Sequence, residues 1–135
     1  MVTAMKPGYK KEPTLKQRED FGPRGVLELV ADKWSILIIY HLHEKVLRHT
    51  QLKRLLEGVS TRMLTLTLRK LEQNGLVTRK VYPVTPLRVE YSLTDLGDTL
   101  VEPLKTLCRW SEIHLDDVFS ARQHYEARQI EEAVL

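Results

Sequence analysis

Apolar and polar positions along the chain sort into short amphipathic runs separated by Gly, Pro, Asn and Thr. From Gly22-Pro23 onward, "PRGVLELVADKWSILIIYHLH" places Val26, Leu29 and Val30 on one helical stripe. Trp34, Leu37, Ile38 and His41-Leu42 fall on another. The pattern predicts two consecutive helices, or one bent near Asp32, with Asp32 capping the second. "HTQLKRLLEGV" predicts a short helix with Thr50 as its cap, Leu52, Leu55 and Leu56 inward and Gly58 as its stop. Further on, "LVTRKVYP" and "RVEYSL" are β-rich runs around a proline-bounded "VTP", which predicts a two-stranded hairpin with a stiff loop. "LTDLG" offers Thr94 as a helix cap. Beyond it Leu96, Leu100, Leu104, Leu107, Ser111 and Leu115 recur at steps of three and four, and Pro103 inside that run predicts a kink or a late helix start. A last helix, from about Ser120, carries Tyr125, Ile130 and Val134.

The stretch between the short helix and the hairpin, "STRMLTLTLRKLEQNG" (Ser60–Gly75), contains two periods. Met63–Leu68 alternates like a half-buried strand, but Arg69, Lys70 and Leu71 break the alternation at once. At about 100° per residue, Met63, Leu64, Leu68 and Leu71 gather on one side. Ser60 then serves as N-cap and Gly75, after Asn74, as the stop. A helix is predicted. The order of elements becomes helix, helix, short helix, longer helix, hairpin, helix, helix. That is a mainly α chain with a small β-hairpin, in which a helix–turn–helix precedes the hairpin: a winged helix.

The outward side of the 60–74 helix holds Arg62, Leu66, Arg69 and Gln73, flanked by Thr65. This leaves Leu66 exposed and three threonines within the helix, where β-branching costs a few tenths of a kcal/mol each. They suit a face inserted into a DNA major groove, where arginine forks onto guanine, hydroxyls meet base edges and an apolar group meets the thymine methyl. Ser60 and the helix N-terminal amides suit a phosphate. Gln51, Lys53 and Arg54 on the preceding helix would lie along the backbone and set the register. Arg79 and Lys80 enter the hairpin, Arg88 leaves it, and Pro83 and Pro86 stiffen its loop. A basic wing reaching phosphates or the minor groove is one use for them. A hairpin that merely closes the core is the other.

Charge sharpens this picture. The net +3 is the sum of +2 over residues 1–20, +6 over 21–93 and −5 over 94–135, a basic centre followed by an acidic tail. At 135 residues, 42% apolar and 29% charged, the chain suits one soluble globular domain. Residues 1–20 read as a flexible basic arm, 21–118 as the winged domain with its long helical stripe, and 119–135 as the C-terminal helix. The longest apolar run, "WSILIIY", is far short of the roughly 18 residues of a membrane span. The N-terminus lacks the order of a secretory signal, so a cytoplasmic protein without a membrane partner is expected. The single cysteine, Cys108, forms no internal disulfide or metal cluster alone and reads as a small hydrophobe on a buried helical face.

No Gly-rich phosphate loop, nucleophile motif or pair of carboxylates with an obvious pocket is present, so no catalytic residue, cofactor or enzymatic role is expected. His41 and His43, two apart on a helix, point to different faces, which disfavours a metal site. Trp34, Tyr40 and Trp110 are candidates to line a pocket for an unidentified small-molecule effector, and aromatic core packing explains them equally well. A winged helix used as a protein-interaction module is the main rival to DNA binding.

The segments "DKW" at 32–34, "LKRLLEGVSTRMLTLTLRKLEQNGLVTRKVYPVTPLRVEYSLTDLG" at 52–97 and "LKTLCRW" at 104–110 together resemble the HxlR-type winged helix–turn–helix transcriptional regulators, relatives of MarR. The likeness spans about residues 24–112. It implies a homodimer on a palindromic operator of double-stranded DNA, with N- and C-terminal helices as the dimer interface. In that arrangement the apolar stripe of Leu100, Leu104, Leu107, Ser111 and Leu115 would meet its copy. Two 60–74 helices would then enter successive major grooves about 34–36 Å apart. Carried over position by position, Thr61, Arg62, Thr65, Leu66 and Arg69 would lie in the groove, Ser60 at a phosphate, and Arg79 and Arg88 on the wing. Three departures stand out, one of them Leu66, which stands where a polar residue is common in the family. Several members carry a sensing cysteine just ahead of the first helix, where this chain reads "REDFGPRG". His49 stands at a position that is often aromatic in the family.

Overall fold

The computed structural model describes the backbone of residues 15–134 and the side chains of residues 21–134. Among the described residues, seven helices and two strands follow in order: α1 (Leu15–Val30), α2 (Lys33–Leu42), α3 (His49–Leu55), α4 (Thr61–Gln73), β1 (Val77–Tyr82), β2 (Arg88–Leu93), α5 (Asp95–Asp98), α6 (Val101–Ile113) and α7 (Leu115–Val134). The arm expected over residues 1–20 falls outside the described residues as far as residue 14, and from Leu15 the backbone is helical. Helix α1 is broken at Gly22, whose φ of 46° and ψ of −177° suit glycine, with Pro23 following. Among the described residues no helix is long and apolar enough to cross a membrane.

Local signals set most boundaries. Asp32 caps α2, its Oδ1 accepting from the Ser35 N–H at 2.9 Å. Ser60 caps α4, its Oγ accepting from the Met63 N–H at 3.0 Å. Thr94 caps α5 by accepting from the Gly97 N–H at 3.0 Å. Helix α4 ends at Gly75 (φ 74°), where the Leu76 N–H reaches back to the Leu71 carbonyl at 3.0 Å. Pro103 lies in the first turn of α6, where its missing N–H is harmless, so the late start rather than the kink is realised.

Other boundaries differ from expectation. The N-cap of α3 is Arg48, not Thr50: Leu47 forms an antiparallel bridge with Tyr91, through N–H···O contacts of 3.0 and 2.8 Å, and the helix begins directly after it. The Gln51 side chain closes that turn by accepting from the Arg48 N–H at 2.8 Å. Leu55 is exposed, because Leu52 and Leu56 alone share the inward face of so short a helix. Helix α7 starts at Leu115 rather than near Ser120, only His114 separating it from α6.

The core gathers Ile38, Ile39 and Leu42 of α2, Leu52 and Leu56 around α3, and Leu64, Leu68 and Leu71 of α4. Val59, Leu76, Val77, Val101 and Leu104 close it. Each such side chain contributes about 1.5–3 kcal/mol of transfer free energy. Met63, expected inside, is 44% exposed. Thr67 takes that place, its hydroxyl satisfied by donating to the Met63 carbonyl at 2.7 Å. The hairpin is antiparallel with Arg79 opposite Tyr91, Lys80 opposite Glu90 and Tyr82 opposite Arg88. Its base is tied to the end of α4 through Thr94, whose N–H donates to the Leu76 carbonyl at 3.1 Å and whose hydroxyl donates to the Gly75 carbonyl at 2.5 Å. Gly97 packs so closely here that a Cβ would overlap the Leu76 carbonyl oxygen.

Candidate nucleic-acid interface

Helices α3 and α4 are joined by a turn through Gly58 (φ 89°), whose conformation suits glycine, with Val59 buried beneath it. Burial of Leu64, Thr67, Leu68 and Leu71 leaves one orientation for α4, and in it Thr61, Arg62, Leu66 and Arg69 are exposed. Leu66 is 47% exposed, a large apolar side chain between two guanidinium-bearing turns. Ser60 is also exposed; its oxygen accepts within the cap, which leaves its O–H to donate outward. Thr65 is only half-buried, and its hydroxyl already has two partners inside the protein, the Thr61 carbonyl at 2.9 Å and His49 Nε2 at 3.1 Å.

Gln51, Lys53 and Arg54 are exposed on α3. The Gln51 oxygen is held in the turn that starts the helix, so only its amide N–H₂ remains to donate. The wing is less uniform than expected. Because successive strand residues alternate faces, Lys80, Tyr82, Arg88 and Glu90 share one side while Arg79 and Tyr91 share the other. Arg79 turns toward α4, with Nε 3.6 Å from Glu72. Arg88 is half-buried, its guanidinium 4.2 Å above the Tyr82 ring and its Nε 3.5 Å from Glu90, while Lys80 stands 5.0 Å from the same ring. Burial pushes the Tyr91 hydroxyl above its ordinary range; Arg79 and Arg69 oppose that and Glu72 reinforces it, which marks these four as one electrostatic cluster at the junction of helix and wing.

Two features escaped the sequence reading. Arg48, His49 and Thr50 line a depression of about 270 Å³ together with Leu87, Arg88 and Val89, because the Leu47–Tyr91 bridge draws the start of α3 against the wing. Lys70, on the flank of α4, reaches Asp32 with Nζ 2.6 Å from Oδ2 and so fastens α4 to the start of α2. Burial alone would raise the Asp32 carboxyl, but the Lys70 ammonium and the Ser35 donors outweigh it and hold the group below its usual range. A lysine off the leucine stripe carries no local signal of a partner 38 residues earlier.

The long stripe behaves in two parts. Leu104 is buried and Leu100 packs against the chain's own core, whereas Leu107, Ser111 and Leu115 are exposed. Trp110, Ile113, Val118 and Phe119 extend that exposed surface, and no residue of α7 is buried. The three aromatic candidates for an effector pocket do not share one. Trp34 packs on the core under Lys33, whose Nζ lies 4.5 Å from its ring, and Trp110 meets the His114 ring at 4.9 Å with the planes tilted by 40°. Tyr40 lines a depression of about 120 Å³ with Lys105, Cys108, Arg109 and Glu112. Cys108 is half-buried there rather than enclosed. His41 and His43 diverge as expected: His41 meets the edge of Tyr40, and His43 lies 3.6 Å from Asp98. Burial, then the Lys45 ammonium, lowers the His41 imidazole below its ordinary range.

Comparison with known proteins gives one consistent result. The model of a family described as HxlR-like helix-turn-helix matches residues 29–119. The uncharacterised HTH-type transcriptional regulator YtfH of Escherichia coli is 41% identical over 104 residues, covering 77% of this chain and 82% of that protein. YkvN of Bacillus subtilis, of the same description, is 39% identical over 105 residues, 78% of this chain and 88% of its own length. Among solved structures, ytfH from Salmonella typhimurium superposes with a TM-score of 0.70 at 40% identity, over 74% of this chain and 89% of the other. The redox regulator HypR in its reduced form gives 0.68 at 36% identity, over 72% and 96%. Fold, matched segment and relatives agree, and the chain belongs to the HxlR-like helix-turn-helix family of transcriptional regulators.

Proposed function

We propose that the chain acts as a homodimer on a palindromic operator, with α4 in the major groove and the hairpin against the neighbouring backbone or minor groove. The observation that carries this is the outward face of α4. Leu64, Leu68 and Leu71 are committed to the core, and the exposed positions of the other side include Ser60, Thr61, Arg62, Leu66 and Arg69, with Thr65 on the flank. Arg62 and Arg69 are seven residues apart, about 10.5 Å along the axis at 1.5 Å per residue, and Leu66 lies between them on the same side. Two bidentate donors flanking an apolar group is the chemistry of guanine and thymine recognition in the major groove. Lys53 and Arg54 are exposed where the first helix of the motif crosses the phosphates, and Gln51 adds an amide donor. Lys80 and Arg88 share the wing face that would track the backbone, and Arg79 supports α4 from the other face. An exposed apolar surface from Leu107 to Phe119 supports self-association, with Leu100 and Leu104 lying beneath it rather than in the interface.

Mobility shift on the promoter region next to the gene tests the reading. Binding should exceed that to random duplex of equal length and should weaken steeply with salt, because each neutralised phosphate releases about 0.9 counterions. Equal affinity for both duplexes, or affinity that ignores salt, would refute it.

A further inference from the structure

The contact between the start of α3 and the flank of α4 constrains what Thr65 is able to read, and this rests on the placement of α4 in the major groove. Thr65 Oγ1 lies 2.9 Å from the Thr61 carbonyl oxygen and 3.1 Å from His49 Nε2. A carbonyl oxygen only accepts, so the Thr61 contact consumes the single hydroxyl proton of Thr65. The His49 contact must then run the other way, with Nε2–H donating into a lone pair of Oγ1. The result is a directed chain, His49 N–H to Thr65 O–H to Thr61 C=O, in which each bond polarises the next. One lone pair of Oγ1 is left over, and no proton.

We infer that His49 is a specificity-determining positioning residue, which holds Thr65 as a pure hydrogen-bond acceptor facing the operator. In the major groove only adenine N6 and cytosine N4 offer amino protons, whereas guanine N7 and O6 and thymine O4 only accept. Thr65 in this state selects adenine or cytosine at the base it faces and gains nothing from guanine or thymine edges. Without the imidazole donor the hydroxyl is free to leave its bond to the preceding turn, a bond of the kind that competes weakly in helices, and to donate to a base instead. His49 touches no base in this scheme. It acts through Thr65.

Binding-site selection from random duplex, using the full chain and its His49→Phe, His49→Gln and Thr65→Val variants, tests the inference. The unaltered chain should show, at one position in each half-site, a preference for adenine or cytosine. His49→Phe removes the donor but keeps a ring, and should reduce that preference by about two- to tenfold, the range of one neutral hydrogen bond, with the other positions unchanged. His49→Gln places an amide N–H₂ near the position of Nε2 and should restore it. Thr65→Val should abolish it at the same position, which keeps the test decisive if His49→Phe fails to fold. Unchanged selectivity at every position in the folded His49→Phe variant, or in Thr65→Val, would overturn the inference. So would a loss spread evenly over all positions, which marks a merely structural role. An unaltered chain that selects no sequence at all would instead remove the operator reading, and the assignment of His49 with it.

Discussion

Asp32 offers the sharpest test of how α4 is held. Its Oδ1 caps α2 through the Ser35 N–H, and its Oδ2 accepts from the Ser35 hydroxyl at 2.7 Å and from Lys70 Nζ at 2.6 Å. Asp32→Ala removes all three at once. Loss of the cap costs about 1 kcal/mol. Ser35, fully buried, is left with a hydroxyl lacking its acceptor, which costs about 1–3 kcal/mol. The Lys70 pair is more than a third exposed on both sides, so it adds only about 0.2–1 kcal/mol. The expected total, about 2–5 kcal/mol, is a large part of the 5–15 kcal/mol typical of a domain. Asp32→Asn keeps an oxygen for the cap but loses the charge, and should fall between Asp32→Ala and the unaltered chain. Urea denaturation followed by circular dichroism measures both variants, and a double-mutant cycle with Lys70→Met isolates the ion pair. The pH dependence has a definite sign. The folded carboxyl titrates below its ordinary value of 3.8, so the folded state binds fewer protons than the unfolded one and stability rises with pH through that range. The advantage of the unaltered chain over the Asp32→Asn variant is therefore complete above about pH 4 and fades as the pH falls through the depressed pKa. An Asp32→Ala variant within about 0.5 kcal/mol of the unaltered chain would show that this junction does not hold α2 and α4 together.

Other expectations concern DNA and self-association. Arg69→Ala should weaken operator binding by about 1–3 kcal/mol and relax selectivity at one position, while Lys53→Ala should weaken all sequences alike; titrations on operator and random duplex separate the two. Replacing operator thymines one at a time by deoxyuridine, which lacks only the methyl group, should reduce affinity at the base facing Leu66. Leu66→Ala should erase that sensitivity, and an unaltered response in the variant would place Leu66 outside the groove. Leu107→Asp, on the exposed half of the α6 stripe, should convert a dimer to a monomer in light scattering; a variant that stays dimeric moves the interface elsewhere.

Much of this molecule is legible from local spacing. The caps at Asp32, Ser60 and Thr94, the stop at Gly75, the hairpin and the outward set of Arg62, Leu66 and Arg69 all follow from interactions within about four residues or from one helical period. Misplacements occur where the partner lies far along the chain. Thr50 lost its capping role because Leu47 pairs with Tyr91, and Met63 and Leu55 stay outside because neighbouring elements fill only part of each helix face. Residue order likewise says nothing of Arg79 and Arg88 lying on opposite faces of the wing until strand register is known.

Periodicity and capping chemistry, then, determined which segments are helices, where the hairpin lies and which face of α4 points away from the core. Tertiary packing alone decided that Leu100 and Leu104 belong to the chain's own core while Leu107 and Leu115 do not, that Lys70 fastens on Asp32, and that His49 reaches Thr65. The physical reason is range. A turn or a cap is settled by neighbours a few bonds away, whereas burial and long-range hydrogen bonds depend on which surfaces meet once the whole chain has closed.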